Sequence, residues 1–321
     1  MSRIAAIAIG RNEGARLERC LTTLRAQVER VVYVDSGSTD GSVALAERLG
    51  AQVVALDMSQ PFTAARARNA GFDALRPDLP PVVQFVDGDC GLAEGWIAAG
   101  LAALDAHPDT AMVTGWRREI HPEASLYNRL CDHEWHRPAG VIETCGGDMM
   151  LRSEIFDALG GMDPRVIAAE DDELCVRMRK AGWVLRRIPH EMTRHDAAMT
   201  RFSQWWRRAV RSGHGFAQVG HLHPEYFRRE RRRTWLYAAL VPGLVLLALL
   251  TVPPLALLPL LAYAWNWWRT TRGLKAEGLA PAEARRHAGL ITLSKFPNLI
   301  GMIRFHLRRL TGRAMRIIEY K

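Results

Sequence analysis

The sequence predicts an α/β protein: a mostly parallel sheet with helices on both faces over residues 1–200, followed by membrane-associated helices. Three observations predict it. Short unbroken apolar runs alternate with stretches whose apolar residues recur at helical spacing. Acids and amides sit immediately after several of those runs, and residues 235–268 carry no charge at all. Unbroken apolar strands belong to sheets buried on both faces, the usual state of parallel strands joined through helices.

The elements follow in order. "RIAAIAIG" reads as a buried strand, and "NEGARLERCLTTLRAQV" as an amphipathic helix with Leu17, Leu21 and Leu24 on one face. "RVVYVDSGSTDGS" is a second strand running into a polar loop, and "VALAERLG" a helix stopped by Gly50. "AQVVALD" is a third strand, "TAARARNAGFDAL" a helix, and "PVVQFVDGD" a fourth strand. Ligands of such sheets bind at the carboxyl ends of the strands. Asn12 with Glu13, Asp35, and Asp87 with Asp89 each lie just past a strand, so they are expected to converge on one cleft.

Charge divides the chain. Residues 1–200 hold 22 Lys and Arg against 29 Asp and Glu, whereas residues 201–321 hold 21 against 5. An acidic front and a basic back argue against a nucleic-acid-binding surface and for a soluble domain joined to something that meets an anionic partner. The uncharged run is interrupted by Pro253-Pro254 and flanked by "RRERRR" and "RTTRGLK". One spanning helix needs about 20 apolar residues, so the run is too long for one span and too short for two. With positive charge kept inside, both ends face the cytoplasm and the run is a hairpin or re-entrant pair. A buried core pair is the alternative, opposed by the Trp and Tyr residues at both ends. The tail from "LITLSKF" to "RIIEY" reads as a basic amphipathic helix on an anionic leaflet. The expected division is a sheet domain over 1–200, a basic amphipathic connector over 201–234, the apolar segment over 235–268 and the basic tail over 269–321. The five cysteines are scattered with no CxxC, which fits a reducing compartment. The apolar stretch Ile4–Ile9 is too short for a signal peptide, so the front 200 residues are expected in the cytoplasm, at the inner face of the plasma membrane.

Two acidic clusters carry the chemistry. In "VVQFVDGDCGL", Asp87 and Asp89 repel one another unless a cation lies between them. Mg²⁺ or Mn²⁺ suits such a pair, completing its shell with phosphate oxygens and water. Alone, such a pair is more often a solvated turn. In "AAEDDELCVRMRKAGW", Glu170 to Glu173 are four consecutive acids opening a helix. Acids favour a helix N-terminus, yet four exceed what the dipole requires.

With their neighbours, these motifs resemble glycosyltransferase family 2, inverting enzymes of the GT-A (Rossmann-like) fold that use nucleotide sugars. "AIAIGRNEGARLERCLTTLRAQ" looks like that family's first strand and helix, "VVYVDSGSTDGS" its nucleotide loop, "AARARNAGF" its ARNxG helix and "VDGDC" its D-x-D. The nucleotide loop departs from the family at Ser36, where a second Asp is usual. The likeness covers roughly residues 3–195, with the motifs in family order. It implies a nucleotide-sugar site of Asn12, Glu13, Asp35, Arg68 and Asp87, and a metal site of Asp89 and Asp87 with His195 as a further ligand. It implies Asp171 as general base with Glu170 orienting it, a structural role for Arg177, and an acceptor pocket with Asp148 and Gly147.

The expected activity is inverting transfer of a sugar from a nucleoside-diphosphate donor to a lipid-linked or glycan acceptor, assisted by Mg²⁺ or Mn²⁺, beside membrane lipids. Gln204, Trp205, Arg208 and Arg211 loosely resemble the QxxRW element of processive synthases, with Trp205 towards the acceptor, but the order here is QWWRR. "CDHEWH" invites zinc, yet no second ligand pair follows. A nucleotidyltransferase would need a Gly-rich N-terminal phosphate loop, which is missing. The intact acid motifs oppose a non-enzymatic membrane scaffold.

Overall fold

The alternation of runs becomes an alternation of strands and helices. The computed structural model describes residues 3–319; Met1, Ser2, Tyr320 and Lys321, at the limits of the first and last expected segments, lie outside the described residues. The chain forms two compact units. One holds the chain up to Ala124 together with Cys131–Ala198, the other Ser125–Leu130 together with the chain from Met199.

The first unit begins β1 (Ile4–Gly10), α1 (Ala15–Arg25), β2 (Arg30–Asp35), α2 (Ser42–Arg48), β3 (Gln52–Ala55), α3 (Ala64–Leu75), β4 (Val82–Asp87). It continues through β5 (Cys90–Leu92), α4 (Trp96–Ala106), β6 (Thr110–Glu119) and α5 (Leu126–Trp135), whose first residues count with the other unit. It closes with β7 (Gly140–Val141), β8 (Met149–Arg152), α6 (Ser153–Ala158), α7 (Glu170–Lys180) and β9 (Val184–His195).

The strands form one sheet in the order β3-β2-β1-β4-β8-β6-β9-β5, with β7 also beside β9. The half that begins the chain, β3-β2-β1-β4, is parallel throughout. Beyond it directions mix: β8 is antiparallel to β4 and β6, β9 is parallel to β6, and β5 and β7 are antiparallel to β9. The strict βα alternation that sets parallel pairing ends after β4, and with it the purely parallel rule.

Side chains of β1 alternate between two cores, as a pleated strand requires. Ala5, Ile7 and Ile9 pack with Phe72 and Leu75 of α3 on one face. Ile4, Ala6 and Ala8 pack with Leu17, Leu21 and Leu24 of α1 on the other. The expected helices thus cover both faces. Truncating a side chain as buried as Leu21 costs about 2–5 kcal/mol. Register does the rest: Gly10 pairs with Asp35 and Ile9 with Asp87, so three loops leave the sheet at one level.

The second unit is helical: α8 (Phe202–Leu222), α9 (Arg228–Trp235), α10 (Val241–Thr251), α11 (Leu257–Ala276), α12 (Pro281–Leu293) and α13 (Lys295–Leu310). Across the π-helical turn Leu236–Leu240, α9 and α10 form one helix, Arg228–Thr251, long and apolar enough to cross a membrane. That helix and α11 run antiparallel, joined by the short turn Pro253–Ala256. Arg233 donates to Asn266 Oδ1 at 2.8 Å, while the Tyr263 hydroxyl, one turn earlier on α11, donates to the Tyr237 carbonyl at 2.5 Å. The carbonyl that Tyr263 takes lies within the π turn. Leu246, Leu250, Leu257, Leu258 and Leu261 stay exposed, which is not the packing of a buried core pair. The tail helix α13 lies on α8, where Gly213 and Gly301 allow backbone contact: a Cβ on either would stand 2.0 Å from a carbonyl oxygen of the other helix.

Candidate active site

The first two loops are tied together before any ligand is considered. The Asn12 amide oxygen accepts from Thr39 N at 2.7 Å, and the Asn12 backbone N–H donates to Ser38 Oγ at 2.9 Å. Asp35 holds its own loop, accepting from the backbone N–H groups of Gly37 and Ser38 at 3.0 and 2.9 Å and from the Tyr33 hydroxyl at 3.1 Å. Glu13 pairs with Arg16 at 2.9 Å. These three residues, expected to meet the nucleotide, therefore shape the rim of the two loops. Asn12 does so in a left-handed backbone conformation (φ 55°), a strain that persists where surrounding contacts hold it.

Arg68 links the two acidic clusters. It projects from α3, capped by Thr63, into the interior, where its side chain is only 2% exposed. One terminal nitrogen donates to Asp87 Oδ1 at 2.6 Å and the other to Glu170 Oε1 at 2.9 Å. One planar fork thereby bridges Asp87 to Glu170, which lies 102 residues from Arg68 in sequence, the geometry in which arginine outperforms lysine. Gly147 makes room for it: a Cβ there would lie 2.2 Å from the Arg68 guanidinium. Gly147, expected beside the acceptor, thus backs onto the ion pair.

Asp148 is also placed differently from the resemblance. Its carboxylate has no exposed surface and accepts from the Asp87 backbone N–H at 2.9 Å, Thr193 Oγ1 at 2.7 Å and Arg117 at 2.7 Å. It clamps the Asp87 turn from beneath. Arg117, on β6, also reaches Asp87 Oδ2 at 3.3 Å and lies over the ring of Trp135 at 5.5 Å. Asp87 consequently stands between two guanidinium groups.

Asp89 turns the other way. Its Oδ2 lies 3.3 Å from His195 Nε2, and both side chains are nearly buried. Burial keeps the His195 imidazole below its usual pKa, hence neutral with a lone pair to offer. Trp135 meets the ring edge-on at 4.7 Å. Among the described residues, two groups bring ligand atoms within 4.8 Å of one another: Asp89, Cys90 and His195, and Asp87, Cys90 and Asp148. Burial pushes the Cys90 thiol well up, so it stays protonated and offers no thiolate. The carboxylate and imidazole that remain in the first group fit a hard cation such as Mg²⁺ or Mn²⁺. Of the expected ligands, the structure brings Asp89 and His195 together and sets Asp87 in the neighbouring group.

The second cluster opens α7. Ala169 precedes it in a left-handed conformation (φ 62°), and Glu170 turns inward to Arg68. Asp171 lies half-buried with no guanidinium bonded to it among the described residues. Burial, then the charges of Asp172 and Glu170, raise its carboxyl well above the usual aspartate range, with Arg68 pulling the other way. Thr144 Oγ1 donates to Asp172. Glu173 takes Arg177 on both oxygens at 2.8–2.9 Å, and Arg177 also donates to the carbonyls of Leu159 and Gly161, the structural role expected of it. Trp205 belongs to the second unit, buried on α8 and stacked with Tyr127 at 6.2 Å.

Arg117, Thr193 and Trp135 escaped sequence reasoning. The one signal was charge at the end of an apolar strand, "AMVTGWRRE". "CDHEWH" supplies support instead of zinc ligands: Asp132 binds Arg118 and Glu119 N, Trp135 packs on His195, and His136 stacks on Trp116.

Comparison with known proteins accords with this geometry. Residues 7–158 match the family described as glycosyl transferase family 2, and residues 130–201 match the N-terminal domain of galactosyltransferase. The pre-mycofactocin glycosyltransferase of Mycobacterium tuberculosis is 28% identical over 229 residues, covering 67% of this chain and 47% of that protein. The chain thus spans about half the length of the curated relatives it matches. Among solved structures, the mannosyltransferase PcManGT from Pyrobaculum calidifontis, determined with GDP-Man and Mn²⁺, superposes with TM-score 0.59 at 22% identity, covering 97% of this chain and 88% of that one. Glucosyl-3-phosphoglycerate synthase from Mycobacterium tuberculosis, with Mg²⁺ and UDP, gives 0.50 at 17% identity, covering 68% and 79%. At these identities the likeness is one of fold.

Proposed function

We propose that this chain, which belongs to glycosyl transferase family 2 and carries its GT-A fold, is an inverting, metal-assisted glycosyltransferase acting at a membrane. The observation that carries the reading is the Arg68 bridge, which brings a metal-type acid pair and a proton-accepting acid cluster to one cleft. A hydrolase or transferase that passes through a covalent intermediate would need a nucleophile opposite the acid. One base and one stabilised leaving group instead imply a single displacement.

In this reading Asn12, Glu13 and Asp35 form the nucleotide rim, and Arg68 acts on the donor through Asp87. Asp89 and His195 would hold the divalent cation, with Asp87 beside it. A bound Mg²⁺ or Mn²⁺ supplies positive charge to the departing diphosphate. Asp171 takes the proton of the acceptor hydroxyl, and its raised pKa makes it a stronger base than an ordinary aspartate. Glu170, fixed by Arg68, keeps that helix terminus at a set distance from the donor side. Gly147 and Asp148 support the acceptor side from behind the bridge, and Trp205 anchors α8.

The exposed apolar helices and basic flanks support membrane association, with Arg228–Arg233 on the cytoplasmic side and a lipid-linked glycan as acceptor. PcManGT was determined with GDP-Man and Mn²⁺, and the synthase with UDP, so GDP- and UDP-sugars head the donors to test. The test uses the full chain in detergent with a membrane lipid extract and a panel of nucleotide sugars. Release of nucleoside diphosphate should require Mn²⁺ or Mg²⁺, stop with chelator and yield product of inverted anomeric configuration. Silence with every donor would overturn the reading.

A further inference from the structure

The helix Arg228–Thr251 and α13 line an open surface groove of about 1030 Å³ in the second unit. Its two ends differ in chemistry. Arg228, Arg231 and Arg232 line one end, and Leu240, Leu244 and Leu247 the other. These residues recur at three- and four-residue intervals, so one face of a single helix changes from cationic to apolar along its length. Arg231 is held in place, donating to the carbonyls of Pro224 and Tyr226 at 2.6 and 3.2 Å. Neither Arg228 nor Arg232 has an acidic partner among the described residues, and both are exposed. The apolar stripe from Leu236 to Leu247 runs about 16 Å at 1.5 Å per residue, close to one leaflet of a hydrocarbon core about 30 Å thick. The exposed apolar surface of the helix continues from it.

We propose that this groove is a seat for one anionic phospholipid, its phosphate on Arg228, Arg231 and Arg232 and one acyl chain along Leu240, Leu244 and Leu247. Charge complementarity selects an anionic head, and the apolar stripe of leaflet length selects a hydrocarbon chain over a free phosphate. The seat is separate from the metal cleft and rests on the membrane association proposed above. Held there, the lipid fixes the depth and rotation of the helix, which a diffuse basic surface would leave free.

Gly243 gives a test that leaves charge untouched. It lies in the groove wall, and a Cβ added there meets nothing within 4 Å, so Gly243→Phe fills the groove without displacing backbone. Full-length protein in detergent would be incubated with phosphatidylglycerol or phosphatidylcholine of equal chain length and weighed by native mass spectrometry. One phosphatidylglycerol per chain should be retained, at least tenfold over phosphatidylcholine. Both Arg228→Gln/Arg232→Gln and Gly243→Phe should reduce retention at least tenfold, with the thermal melt unchanged. Equal retention of the two lipids, loss in the arginine variant but not in Gly243→Phe, or a dimer broken by Gly243→Phe would each overturn the seat. Metal-dependent turnover in the same preparations reads the proposed activity separately, since these residues lie outside its machinery. Turnover without retained lipid overturns the seat alone.

Discussion

Asp87 and Asp171 both feel the charge of one guanidinium, that of Arg68, and their other neighbours are opposite in sign. Asp87 is held by Arg68 and Arg117, and its backbone N–H is taken by Asp148. Asp171 has Asp172 and Glu170 beside it and a burial cost that lifts its pKa. Asp87 is held by contacts to two cations. A carboxylate surrounded by carboxylates in a half-buried site seeks a proton. The difference teaches that a single buried arginine serves two acids in opposite settings: it bonds Asp87 directly, and it reaches Asp171 by charge alone, where burial and the neighbouring carboxylates outweigh it.

The comparison breaks most completely at Asp171. Asp171→Asn removes the base and should lower transfer by about 10²–10⁴-fold, measured as initial rate at saturating donor. Its thermal melt should not fall, because the substitution also removes a charge that the native fold disfavours. A fall in melting temperature together with retained activity would reverse the assignment. Arg68→Gln strikes both acids at once. Leaving Asp87 and Glu170 without their cation should cost about 3–5 kcal/mol in urea unfolding and suppress activity as well. Gly147→Ala tests the same bridge from behind. Its Cβ would displace the guanidinium, and about 1–3 kcal/mol of stability should be lost, with Asp171 chemistry weakened less than in Arg68→Gln.

A pH series sharpens the contrast. The folded pKa of Asp171 lies above the ordinary 3.8, so the native state binds that proton more tightly than the unfolded chain. Stability should therefore drop as pH rises from 3.8 through the raised value, and Asp171→Asn should flatten that part of the curve. Transfer should run the other way, with its acid limb above the aspartate range, because only the deprotonated base works. The smallest effect is expected at Ala169→Gly. The left-handed conformation before Glu170 suits glycine, and relief of strain should raise stability by less than about 1 kcal/mol after the entropy that glycine loses on folding. Urea unfolding reads it.

Much of the site was legible because it is local. Asn12, Asp35 and Asp87 follow strands whose apolar runs are plain in the sequence, and parallel pairing in register then brings their loops level. The acids of α7 announce themselves as a block. Arg117 and Thr193 were not legible, since each sits on a strand with no motif and acts only across the sheet. Asp148 was expected at the acceptor pocket only through the family resemblance. Its burial follows from β8 inserting between β4 and β6, a pairing that hydrophobic periodicity does not encode. The mixed half of the sheet escaped for the same reason: direction depends on which strands meet, not on what each contains.

By itself the sequence determined the order of strands and helices, the placing of acids at strand ends, and a charge-free segment of membrane-spanning apolarity. These follow from periodicity, turn chemistry and transfer free energy, which act over a few residues. Only the tertiary structure decided that Arg68 joins Asp87 to Glu170, that Asp89 turns to His195 while Asp87 does not, and that three arginines and three leucines share one groove. Those are contacts between distant segments or faces, and their energies exist only once the chain has closed on itself.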